Sequence, residues 1–347
     1  MKAIVLFLTL SITAPSWARW SWPEKLRPHI NLIVKQFSGE LGLYVKDLES
    51  GETFSLYGDT WWYLASTIKL FVFIQLEREI EAGKLSWDQE VTIETVDYRD
   101  GGGQTNWRKP GSVATVRFLV EQMMWESDNA ATDLLIKLIG LETLNDNLEH
   151  LYASGPIGRI TSLLDVRKIA YGFIHENAHN LSNMDYFKLK KAKTSEKKYS
   201  TFLKLAGVKP ADAKMKSVEE AFEKYYKQGF NSTSLSIFAS VIENLHNGKI
   251  INPKRSAEIL DLMSKCETGK ERLAAGLPKN AIWMHKTGTQ LNRVCDMGLV
   301  RVPGKEKDKM KNIVITACAQ NFKDYPDADR ILKRVAEAMT RSGVFKP

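Results

Sequence analysis

Ser66 and Lys69 stand three residues apart in Ser66-Thr67-Ile68-Lys69, at the start of a run that reads as a buried helix. At that spacing both side chains leave one helical face. A serine hydroxyl beside an unprotonated lysine is an acyl-transfer nucleophile. Lysine serves as the base only with a lowered pKa, which burial and nearby cations produce. A helix start also offers free N–H groups to negative charge developing on an attacked carbonyl.

Two further strings complete the chemistry. In Ser127-Asp128-Asn129, Ser127 could relay a proton to a leaving nitrogen and Asn129 could bind a substrate amide. Asp128 suits a turn whose backbone it bonds. In Lys286-Thr287-Gly288-Thr289, preceded by His285, Lys286 is a positive charge suited to a substrate carboxylate. Gly288 would let a ligand backbone approach. The N–H of Thr289 could complete an oxyanion hole with that of Ser66. Singly, each string is commonplace: a capped helix with a surface lysine, a turn, the end of an edge strand. Their order, and the elements that carry them, make the joint case.

Those elements follow from apolar spacing. Residues 23–38 predict a helix, with Leu26, Ile30, Ile33, Val34 and Phe37 near helical period. Leu41–Leu48 and Thr53–Tyr57 read as strands around a Ser50-Gly51 turn. From Ser66 to about Ala82 a helix is apolar on every side, as core helices are. Residues 89–114 read mostly as loop, with a flexible point at Gly101-Gly102-Gly103. Helices are expected over Thr115–Trp125 and Ala130–Ile139, with Ser127-Asp128-Asn129 between them, and further helices reach about Leu245. Strand patterns return at Ala281–Thr289, Val294–Val302 and Asn312–Ala319, before an amphipathic closing helix, Asp327–Arg341. The expected class is α+β: an antiparallel sheet flanked by the N- and C-terminal helices, plus an all-helical lobe, with the ligand groove between. The sheet lobe takes about 23–65 and 247–347, and the helical lobe about 66–246, including an insertion at about 166–230.

The chain has 347 residues, is 44% hydrophobic and carries a formal charge of +8. It is long enough for a sizeable core, and collagen-like, disordered and coiled-coil classes are excluded. Lys2, the apolar run Ala3–Ala14 and Ser16-Trp17-Ala18 read as a secretory signal peptide over 1–18, too short to span a bilayer. An exported, periplasmic or secreted protein is expected, acting as a monomer. Much of the basic excess lies in Lys188–Lys216 and reads as a solvated surface, with no nucleic-acid motif beside it. Of three cysteines, Cys266, Cys295 and Cys318, the last two fall in neighbouring expected strands. They are either a disulfide or two buried thiols.

With S-x-x-K, S-D-N and K-T-G in this order, the chain resembles the class A β-lactamase and penicillin-binding serine hydrolase family over nearly its whole mature length. The resemblance implies Ser66 as nucleophile, Lys69 as its activating partner, Ser127 as proton relay and Lys286 as carboxylate and electrostatic partner. Asn129, Thr287 and Thr289 would bind substrate. No cofactor is implied. The partner would be a small β-lactam, or the D-Ala-D-Ala end of a peptidoglycan stem peptide.

The chain departs from that family at one place. Class A enzymes carry E-x-x-L-N after S-D-N, its glutamate activating the deacylating water. Here the region after Gly158-Arg159-Ile160-Thr161 reads Ser162-Leu163-Leu164-Asp165. The candidates for a replacement base are Asp165 and Glu176, the latter in His175-Glu176-Asn177-Ala178-His179-Asn180. That same string matches H-E-x-x-H, so a zinc peptidase using His175, Glu176 and His179 is an alternative. Others are a D-Ala-D-Ala peptidase and a sensor that binds without turnover. Acyl-enzyme formation at Ser66 with slow deacylation is the expected function.

Overall fold

A computed structural model describes residues 20–151, 155–306 and 309–347. The expected signal peptide lies outside them. The five-stranded sheet runs in the order Thr53–Leu56, Glu40–Asp47, Met310–Gln320, Arg293–Pro303, Ile282–Gln290, every neighbour antiparallel. The chain therefore builds its sheet from both ends and sends its middle elsewhere, as the patterning predicts.

Alternation in Glu40–Asp47 turns Leu41, Leu43 and Val45 to one face. Two helices cover that face. Trp22–Gln36 starts at a capping box, in which the Ser21 N–H bonds Glu24 at 2.7 Å. It buries Trp22, Leu26, Ile30 and Ile33. Tyr325–Ser342 is capped by Asp324 and buries Ala328, Ile331, Leu332, Val335 and Met339.

The opposite face packs on Leu235–His246 and, beyond it, on the buried helix Lys69–Glu81. Burying Phe71 and Phe73 there stabilises the fold by about 2 kcal/mol each. That anchorage fixes the direction of the preceding turn, which carries Ser66.

A third apolar cluster belongs to the insertion. Tyr171, Tyr186, Phe202, Phe222 and Tyr225 pack together and against Tyr63 and Ala65, immediately before Ser66. The insertion is also tied to the sheet. Tyr226 donates to the Leu291 carbonyl at 2.8 Å, and Arg293 pairs with Glu223 at 2.8 Å.

The expected loop 89–114 contains a two-stranded ribbon, Glu90–Ile93 with Ser112–Thr115. Each strand has only four residues, too few for a clear period. Cys295 and Cys318 are directly opposite on neighbouring strands and form a disulfide. Cys266 is free.

Candidate active site

Ser66 lies in a short 3-10 turn, Ala65–Ile68, rather than in the first turn of the α-helix, which starts at Lys69. Lys69 still follows in the same coil, its N–H bonding the Ser66 and Thr67 carbonyls. Gly288 of the Lys286 strand passes directly behind: a Cβ there would strike the Leu64 carbonyl and come within 3.2 Å of the Ser66 nitrogen. That glycine makes room for the nucleophile's own turn, not for a ligand backbone as the sequence suggests.

Ser127 has a left-handed backbone (φ 61°) between the helices Val116–Trp125 and Asn129–Ile139. Asp128 holds the turn. It caps the second helix through the Ala131 N–H (3.0 Å) and accepts the Thr105 N–H (2.9 Å). Gly103, at φ 99°, packs so closely on Asp128 that any Cβ would overlap it. The glycine triplet is thus a fitted wall around this turn.

The three strings meet at the amines. Lys69 Nζ donates to the Ser127 carbonyl (2.6 Å) and Asn129 Oδ1 (2.9 Å) and lies 3.1 Å from the Ser127 hydroxyl. Lys286 Nζ reaches the same Ser127 hydroxyl at 2.9 Å. Both amines are fully buried. Burial, then the charge of Lys286, holds the Lys69 pKa well below the ordinary lysine value. Burial also lowers that of Lys286. With Lys286 charged and Lys69 neutral, the Ser127 hydroxyl accepts from the first and donates to the lone pair of the second. This arrangement can move a proton. Asn129 Nδ2 donates to the Asp100 carbonyl at 2.7 Å, which leaves its second N–H for a ligand.

Ser66, Ser127, Asn129, Thr287 and Thr289 line one cleft of about 720 Å³. Sequence reasoning missed other members of its lining. Arg272 Nη2 donates to the Thr289 hydroxyl at 2.8 Å, and its Nε pairs with Asp329 at 2.8 Å. It places a second cation beside the K-T-G strand, and no string in the sequence marks it. Thr268 bonds the Thr287 hydroxyl. Its segment is fixed by the Glu267 N–H to the Trp125 carbonyl at 3.0 Å. Arg167, Lys190 and Lys198 of the insertion form the far wall. Arg167 is buried, which opposes its charge, but Asp100 at 2.9 Å overrides this and keeps it protonated.

Neither candidate for the deacylating base lines this cleft. Asp165 is spent on its own helix start, exchanging bonds with Ser162 at 2.7 and 3.0 Å. Leu163 and Leu164 give their N–H groups to Asp133 at 2.7 and 3.1 Å. Glu176 sits in the 3-10 turn Glu176–Asn180, with His175 outside it as cap, its ring accepting the Asn177 N–H. H-E-x-x-H needs an α-helix to bring both histidines to one face. The two asparagines disfavour that helix, so the zinc alternative loses its geometry. Among the described residues no group of three His, Cys, Asp or Glu side chains could hold a metal.

Fold and cleft match those of a serine hydrolase, with two buried lysines sharing the Ser127 hydroxyl. The chain belongs to the beta-lactamase enzyme family, whose model matches residues 25–342. Beta-lactamase VEB-1 of Pseudomonas aeruginosa is 20% identical over 295 residues, covering 81% of this chain and 79% of that one. A β-lactamase structure from Xanthomonas campestris pv. campestris superposes with TM-score 0.67 at 20% identity, over 92% of this chain and 97% of that chain. A mutant of PBP-A, solved as an acyl-enzyme complex with penicillin G, gives 0.66 at 20%, over 92% and 95%. An ancestral class A β-lactamase gives 0.66 at 20%, over 91% and 99%.

Proposed function

We propose that Ser66 attacks the amide carbonyl of a β-lactam and that the resulting acyl-enzyme is released slowly. Neutral Lys69 receives the nucleophile's proton, directly or through Ser127. Ser127 then delivers a proton to the departing ring nitrogen. Lys286 and Arg272, with the Thr287 and Thr289 hydroxyls, receive the ligand carboxylate. The second N–H of Asn129 takes the acyl-side amide. The N–H groups of Ser66 and Thr289 hold the oxyanion.

The observation that carries slow release is that the segment Ser162–Asp165 stays outside the cleft lining. Its two leucine amides are bound to Asp133 and its one carboxylate is turned to a helix cap. A positioned general base contributes about 10²–10⁴-fold, so its loss separates fast acylation from slow hydrolysis. Stopped-flow measurement of penicillin consumption tests this. The expected trace is a burst of one equivalent followed by slow turnover; linear, rapid turnover from the start would contradict it.

The D-Ala-D-Ala peptide end that β-lactams mimic is the corresponding physiological substrate of such a site. Release of D-alanine from a stem pentapeptide would favour that reading. Export is inferred from residues 1–18, and a monomer is taken as the active species.

A further inference from the structure

The insertion brings three cations to the far end of the cleft, and the acylation chemistry uses none of them. Arg167 lies on the helix Leu163–Gly172, Lys190 in the last turn of Asn183–Lys191 and Lys198 near the start of Ser195–Ala206. All three line the main cleft, and all three also line a recess of about 50 Å³ beside it. Gln290 and Leu291, at the end of the K-T-G strand, are common to both as well. The recess is therefore a continuation of the cleft. A water takes about 30 Å³ of liquid, so the recess has room for a group of a few heavy atoms.

The recess has an apolar floor of Tyr171, Leu189, Val218 and Phe222. Its one carboxylate, Asp100, faces the three cations, which leaves an excess of two positive charges. Asp100 is committed to Arg167, with Nη2 at 2.9 Å and Nε at 3.0 and 3.1 Å. The acids Glu126, Glu267 and Glu271 line the main cleft and not the recess. On the same helix as Lys190, Lys188 is paired with Asp185 at 2.8 Å. Among the described residues neither Lys190 nor Lys198 has an ion-pair partner. Partial burial, then the charge of Arg167, lowers the Lys190 pKa. An incoming anion relieves that repulsion.

The recess also stands at a definite end of the ligand. Asn129, which takes the acyl-side amide, donates to the Asp100 carbonyl at 2.7 Å, and the Asp100 carboxylate is the one held by Arg167. One residue thus spans from the amide clamp to the recess. The ring carboxylate goes to Lys286, Arg272, Thr287 and Thr289, none of which lines the recess.

We propose that Lys190 and Lys198 select β-lactams whose acyl arm ends in a carboxylate. The methylenes of the arm lie on the apolar floor, and its carboxylate takes the two unpaired ammonium groups. The proposal rests on Ser66 acylation as the reading of the cleft and adds the substrate class. An apolar floor alone favours an uncharged arm; two cations without counter-ions above it turn the choice to an anion. Both lysines stay accessible to solvent, so each pair contributes a few-fold in rate and not orders of magnitude.

The test compares a penicillin with an adipyl arm, which ends in a carboxylate, and its neutral isostere with an isopropyl group in that place. Both keep the ring carboxylate, so the ratio of their acylation rates at low concentration isolates the arm. The native protein should favour the adipyl compound by about fivefold or more. Raising ionic strength from about 0.02 M to about 0.5 M should bring that ratio toward one. Combining Lys190→Gln with Lys198→Gln should do the same. A purely structural role for the lysines would change both rates alike and leave the ratio in place. A native ratio near one, or a ratio unmoved by salt or by the double substitution, overturns the proposal. A protein that acylates neither compound refutes the function of Ser66. The preference is then read as equilibrium binding to the native protein by calorimetry: tighter binding of the adipyl compound, by about fivefold, sustains the subsite, and equal binding overturns it.

Discussion

Ser127 is where the three strings become one device, because its hydroxyl is shared by two buried amines. Replacing it with alanine leaves each amine without a shared acceptor and removes the path to the leaving nitrogen. Ser127→Ala should slow acylation by about 10²–10⁴-fold, read as the rate of penicillin adduct formation, with little change in melting temperature. Ser66→Ala should abolish the adduct. That Ser66 and Ser127 would share one cleft was legible from their strings, and Asp128 was rightly assigned to the backbone of its turn. Arg272 was not legible. It reaches Thr289 only because a 3-10 turn and the closing helix, through Asp329, aim it there. The buried His285–Asp296 pair, 2.7 Å apart, was equally hidden, since strand register decides which of many polar residues become diagonal neighbours.

At the scale of elements, the segment Ser162–Asp165 is held by Asp133 on the helix Asn129–Ile139. Asp133 also pairs with Arg99 at 2.5 Å, both largely buried. Asp133→Ala strands that guanidinium and frees two amides. It should destabilise by about 3–5 kcal/mol, the usual range for breaking a buried ion pair, measured by urea unfolding. A loss below about 1 kcal/mol would show that the pair is not the anchor. The leucines and the missing glutamate could be read in the chain, but not what replaced the glutamate's setting. Glu176 and Asp165 were candidates because sequence distance does not reveal that one lies in a separate 3-10 turn and the other in a cap. In the Gly101-Gly102-Gly103 segment, which reads as a flexible point, Gly101 and Gly103 fit closely against Asn129 and Asp128, distant in sequence.

Over the whole molecule, two chain ends build a sheet, the middle builds a helical lobe, and an insertion with its own core leans on the turn before Ser66. Phe202→Ala, inside that core, should cost about 3–5 kcal/mol of local packing. Limited proteolysis should then cut within about 166–230 before the sheet is attacked. Simultaneous cleavage throughout would mean the insertion has no stability of its own. The sheet and the terminal helices were legible because their alternation and helical period are strong. The insertion's aromatic core was not, because its Tyr and Phe residues are scattered among lysines.

Ser66 should trap a β-lactam as an ester that neither Asp165 nor Glu176, both outside the cleft lining, is placed to release. Intact-mass spectrometry after mixing with penicillin G, followed through time and by peptide mapping, tests it most directly. A single adduct of one whole penicillin should appear on the Ser66 peptide and persist long after free ligand is removed. No adduct at all, an adduct elsewhere, or one that vanishes as fast as it forms would contradict it.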